Sequence, residues 1–72
     1  MNQHDFVLQG EYIELYTLLK LLAIAPSGGA AKTMVAEGLV RVDGELETRK
    51  ARKLYAGALV QTDEDEVRIR AA

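Results

Sequence analysis

Apolar residues along this chain change their spacing twice. "DFVLQ" (5–9) alternates and predicts a short first strand. From about Glu11 to Leu22 the spacing becomes helical: Leu15, Leu18, Leu19 and Leu22 fall at i, i+3, i+4 and i+7, on one face. Tyr12 and Tyr16, four residues apart, are expected on the flank of that helix. Pro26 closes the segment, and Ser27 reads as the N-cap of a second helix. In that helix Ala31, Met34 and Val35 keep the apolar spacing, while Lys32, Thr33 and Glu37 face elsewhere. Gly38 suits the left-handed position just past a helix end.

From Leu39 the period becomes two. "LVRV" runs into Asp43-Gly44, a dipeptide that favours a two-residue type I′ hairpin because both of its central residues need positive φ. "ELE" returns from that turn. Gly57 provides a bend, and "LYAGALVQT" and "EVRIR" predict two further strands joined around "DEDE" (63–66). The expected architecture is α+β: two packed helices against a small, mainly antiparallel sheet, since neither layer buries its apolar face alone. No repeat or linker breaks the pattern, so residues 1–72 are expected to form one domain.

Composition acts mainly by exclusion. The chain lies near the lower end of what folds alone, and its 49% hydrophobic content supplies the necessary core. Without cysteine there is neither a disulfide framework nor a thiolate zinc site. The one histidine, His4, lies near a terminus expected to fray. The "DEDE" acids are expected at a solvated hairpin tip and lack the spaced oxygens and central glycine of a calcium loop. No metal site, cofactor or small-molecule substrate is therefore expected. "SGGAAK" lacks the phosphate-loop spacing, and Ser27 is accounted for by capping, so no catalytic residue is assigned. "LLKLLAIAP" is too short for a bilayer span of about 20 residues, and "MNQHDF" lacks the order of a secretory signal. A cytoplasmic protein without membrane contact is expected.

Charge changes the picture more. The net charge is −2, yet residues 41–53 hold five cations against three acids. Arg49, Lys50, Arg52 and Lys53 crowd together there. Such a cluster either blunts a sheet edge or binds an anion. Its surroundings favour the second reading: Ser27, Gly28 and Gly29 open a helix whose free amides and positive dipole end suit a phosphate. Lys32 lies one turn on, and strand alternation turns Arg41 away from Val40 and Val42. The expected anion-binding surface comprises Ser27, Lys32, Arg41, Asp43, Gly44, Arg49, Lys50, Arg52 and Lys53, with Glu45 and Glu47 pointing away or pairing with neighbouring cations. Phe6, Tyr12, Tyr16 and Tyr55 do not interleave with these cations along the chain, which favours backbone and shape recognition over stacking on exposed bases. The alternative is a protein-interaction module whose basic loop meets an acidic partner, anchored by Leu54 and Tyr55.

The order helix, "SGGAAK", "VAEGLVRVDG" resembles the ribosomal protein S-four type RNA-binding domain, also called the αL motif. That family's core reads Ser-Arg-x-x-Ala-Arg, an aliphatic residue, x-x-Gly, then x-Val-x-Val-Asn-Gly. Ser27, Ala31, Val35, Gly38, Val40, Val42 and Gly44 match it, with Lys32 in an arginine position and Asp43 in the asparagine position. Gly57 falls near a later glycine of the family. The resemblance spans roughly residues 11 to 62 and is nearest to the short, stand-alone bacterial members. It implies docking of structured RNA, often ribosomal or transfer RNA, by the second helix and the hairpin. Ser27, Lys32, Asp43 and Gly44 carry that role over directly, whereas Arg41, Arg49 and Lys50 adjoin the surface by position. Arg52 and Lys53 rest on charge. Two positions depart: Gly28 stands where the family has an arginine, and Ala58 where it often has an acid. With the acidic balance, these departures imply modest, salt-sensitive affinity.

Overall fold

Leu15, Leu18 and Leu19, the stripe that defines the first helix, are completely buried, and Leu22 is half-buried at its end. The computed structural model describes residues 1–72. In chain order the elements are β1 (Asn2–Val7), β2 (Ile13–Glu14), α1 (Leu15–Leu21), α2 (Gly28–Ala36), β3 (Arg41–Val42), β4 (Glu45–Leu46), β5 (Lys53–Leu54), β6 (Leu59–Gln61) and β7 (Asp65–Arg70). Five strands form one sheet in the order β1-β7-β6-β3-β4, and β2 and β5 form a separate antiparallel pair. The leucines of α1 join Ala31 and Val35 of α2 with Val42, Val60, Val67 and Ile69 of the sheet in a single buried cluster. This is the expected α+β arrangement of two helices on a mainly antiparallel sheet. No helix is long and apolar enough to cross a membrane.

Three elements differ from expectation. The first strand begins at Asn2 and lies parallel to β7, with His4 opposite Val67 and Phe6 opposite Ile69. His4 does not fray: its Nε2 lies 2.9 Å from Asp65 Oδ1. The first helix starts four residues late, because Ile13 and Glu14 pair instead with Leu54 and Lys53. Of the acidic run only Asp63 and Glu64 form the turn, while Asp65 and Glu66 already belong to β7.

The late start of α1 has a consequence for the basic loop. Glu14 at the N-cap makes no side-chain cap bond. The first amides of the helix instead donate to the loop: Leu15 N to Arg52 O at 2.9 Å, and Tyr16 N to Lys50 O at 3.0 Å. Orphan donors at a helix start need partners, and here they tether residues 50–52 to the helix.

Just beyond the other end of α1 lies Ala23, whose φ of 57° is left-handed, with Ile24 N donating back to Leu19 O. A residue carrying Cβ is disfavoured there. Ala23→Gly is expected to stabilise the protein by about 0.5–1 kcal/mol, the relief being partly offset by greater freedom of the unfolded chain. A urea-unfolding midpoint that stayed the same or fell would contradict this. The second helix follows expectation: Ser27 Oγ accepts from Ala30 N at 3.1 Å, and Gly38 is left-handed beyond its end.

Candidate nucleic-acid interface

The two-residue turn sets the chemistry of the basic loop. Asp43 and Gly44 both have positive φ, as the type I′ turn requires. Val42 therefore pairs with Glu45 and Arg41 with Leu46. One step further, Glu47 N donates to Val40 O at 3.0 Å, which places Glu47 beside Val40 on the core side. Its side chain is buried, and it is the one charged residue in the interior.

Such a carboxylate requires partners, and the following residues supply them. Arg49 donates to it from its backbone N (2.9 Å), Nε (3.0 Å) and Nη2 (3.0 Å). Arg52 Nη1 reaches Oε1 at 2.8 Å. The Arg49 hydrogen bonds, opposed by burial and reinforced by Arg52, hold the carboxyl at about 2. Two of the four clustered cations are thus occupied in closing their own loop. Arg52, two-thirds buried, is mainly structural, and Arg49 keeps an exposed side chain whose charge is offset.

The lysines remain free for an external anion, and the fold brings them together. Lys32 Nζ lies 4.7 Å from the centroid of the Tyr16 ring, and Tyr16 is bonded through its backbone to Lys50. Lys20 joins from the last turn of α1, its Cδ about 3.9 Å from where a Cβ on Gly28 would stand. Lys53 lies opposite Glu14 in the β2–β5 pair, with Nζ 4.8 Å from the Tyr12 ring centroid. Lys20, Lys32, Lys50 and Lys53 thus run from the start of α2, along α1, to β5. Lys20 carries no sign of this role in the sequence, because it interrupts an apolar run and lies outside the basic cluster. The cations and tyrosines do interleave, contrary to the order along the chain, because α1 and the loop are adjacent only in space.

Other expected residues are placed differently. Arg41 is exposed between buried Val40 and Val42. The helices cover the valine side, so Arg41 lies on the outer face of the sheet beside Gln61, away from Lys32. Asp43 is engaged: its Oδ1 accepts from Leu59 N at 2.9 Å and its own N donates to Leu59 O at 2.8 Å. The acceptor oxygen shared by Asp and Asn suffices for that bond. Gly44 is open, with nothing within 4 Å of a Cβ built on it. Ser27 has its hydroxyl turned to capping, leaving the helix-start amides as its contribution. Leu54 is buried, so it does not serve as an exposed protein-binding anchor; Tyr55 beside it is exposed.

A family model described as the S4 domain matches residues 6–70. The chain belongs to the S4 domain family. Among relatives, YbcJ of Escherichia coli, a proposed RNA-binding protein, is 51% identical over 49 residues, covering 68% of this chain and 70% of YbcJ. RlbA of Bacillus subtilis, a proposed ribosome maturation protein, is 42% identical over 53 residues, 74% of this chain and 75% of RlbA. The solution structure of E. coli YbcJ, in which an αL motif involved in RNA binding was described, superposes with a TM-score of 0.74 at 42% identity. That match covers 99% of this chain and 91% of YbcJ. The S4 match takes in all of β7 and the end of β1, beyond residues 11 to 62.

Gly28, where the family motif has arginine, is not required by the backbone. It lacks a left-handed φ, and a Cβ there meets Lys20 Cδ only at van der Waals distance. Gly28→Arg is expected to fold normally and to tighten RNA binding severalfold. It should add about 0.7–0.9 to the salt slope, as one further phosphate contact does. An unchanged slope would mean that the start of α2 does not meet phosphate.

Proposed function

We propose that this protein is a non-enzymatic RNA-binding protein that docks structured RNA, with ribosomal RNA the favoured target. Its 72 residues act as one domain in the cytoplasm. The observation that carries the reading is the row of Lys20, Lys32, Lys50 and Lys53, set against the start of α2 on an S4 domain. RNA binding is ascribed to YbcJ and ribosome maturation to RlbA, which share sequence with 68% and 74% of this chain.

The mechanism follows from placement. Lysines on one face produce a local positive field despite the net charge of −2, because screening confines each charge to about 8–10 Å. Free amides at the start of α2 receive one phosphate, and the lysines meet others along the strand. Glu47 organises the loop by drawing Arg49 and Arg52 inward, which leaves Lys50 tethered to Tyr16 and directed to solvent. Gly44 and Arg49 extend the surface at its edge.

The test is binding of folded ribosomal RNA at two salt concentrations by the wild-type protein and the Lys32/Lys50/Lys53→Ala variant. Saturable binding that weakens with salt and with the variant is expected. No binding at low salt would refute the proposal.

A further inference from the structure

Extending the β2–β5 pairing by one residue beyond Ile13–Leu54 sets Tyr12 opposite Tyr55. The rings are adjacent, with centroids 6.1 Å apart and planes inclined by 49°. Ile13 and Leu54 point inward from this ladder, so the tyrosines and Lys53 share its outer side. Both rings are exposed to solvent, at 42% and 54%, although the core is closed without them. A cleft of about 270 Å³ adjoins Tyr55, bounded by the Asp43 turn, Arg52, Lys53 and Gly57–Ala58.

These features call for a ligand with a flat apolar face and a negative charge. Exposed aromatic rings beside a cation match a nucleobase with its phosphate. Phosphate alone leaves the two rings without a contact, and Glu14, across the ladder from Lys53, weakens that lysine's hold on an anion, so a base stacked on the rings adds what the charge lacks. Continuous duplex offers no free base face to either ring, since its bases are stacked on one another. The inclination of the rings leaves the exposed face of one available for stacking while the edge of the other bounds the position.

We propose that Tyr12 and Tyr55 form a stacking platform for one unpaired RNA base, whose phosphate is met by Lys53. The inference rests on the RNA-binding reading and narrows it: the preferred target carries a bulged or looped-out nucleotide beside the helical segment held by the lysine row.

The experiment compares a blunt RNA duplex with the same duplex carrying a one-nucleotide bulge. Binding is followed by polarisation of labelled RNA and by tyrosine emission, which is unobscured because the chain has no Trp. Wild-type protein is expected to prefer the bulged RNA by about fivefold or more, the lower end of one base–aromatic stack. Tyrosine emission should be quenched only by that RNA. Tyr55→Ala should remove the preference while leaving duplex affinity and its salt dependence unchanged, and Tyr55→Phe should keep it. Equal affinity for the two RNAs, or a preference that survives Tyr55→Ala, overturns the platform and leaves the RNA reading intact. Failure to bind either RNA overturns both.

Discussion

Replacing Glu47 with glutamine is expected to destabilise the protein by about 2–3 kcal/mol at pH 7, somewhat less than the loss of a fully buried ion-pair partner because Arg52 is partly exposed. The substitution removes the charge on which Arg49 and Arg52 converge, and turns an amide donor toward guanidinium groups that accept nothing. A chain of this length has a total stability of roughly 4–11 kcal/mol, so the change is a large fraction of it. The same carboxylate gives the wild-type protein a pH signature. Its folded value of about 2 lies below the ordinary 4.5, so the contribution is complete above pH 4.5 and is lost as pH falls toward 2. With discounting for the solvent-exposed Arg49 side of the clamp, this pH-linked part is about 1–3 kcal/mol. Urea unfolding at pH 7 and pH 3 checks both statements. Wild type should lose stability between the two, and Glu47→Gln should lose less. Equal midpoints for the two proteins at pH 7 would contradict the role assigned to Glu47.

Removing Lys32, Lys50 and Lys53 together is expected to weaken RNA binding about 100-fold at 0.1 M salt and to lower the salt slope by about 2–3. Each lost phosphate contact accounts for about 0.7–0.9 of that slope. All three side chains are exposed, so the variant should stay folded; the two lost cation–π contacts, about 0.5–1 kcal/mol each at such sites, should lower its melting temperature by roughly 4–16 °C. Arg41→Ala is the matched control, since its charge lies on the outer face of the sheet. Its affinity should stay within about twofold of wild type. If Arg41→Ala weakened binding as much as the triple change, the docking surface would lie on the sheet and the lysine row would lose its assignment.

Much of this was legible along the chain because it depends on near neighbours. The leucine stripe of α1, the Ser27 cap and the Asp43-Gly44 turn all act within a few residues, and each is present in the fold. The pairing of Glu47 with neighbouring cations was legible too, and so was its burial. A two-residue turn at 43–44 sets position 47 opposite Val40, which strand alternation had already turned inward.

Distant partners decided the rest. Ile13 and Glu14 lie in a stretch with helical spacing, and became β2 only because Lys53 and Leu54, some forty residues later, offered a ladder whose inward residues complete the core. That choice shortened α1, freed its first amides to hold the basic loop, and brought Tyr12 beside Lys53 and Tyr55. By itself the sequence determined the helices, the hairpin, the family and a local excess of positive charge. Tertiary structure alone decided which cations are spent on Glu47, that the helices cover the face opposite Arg41, and that lysines and tyrosines from α1, α2, β5 and the segments beside them share one surface. The physical reason is range: periodicity and turn chemistry act over a few residues, whereas a charge finds its partner only after the chain has closed around its core.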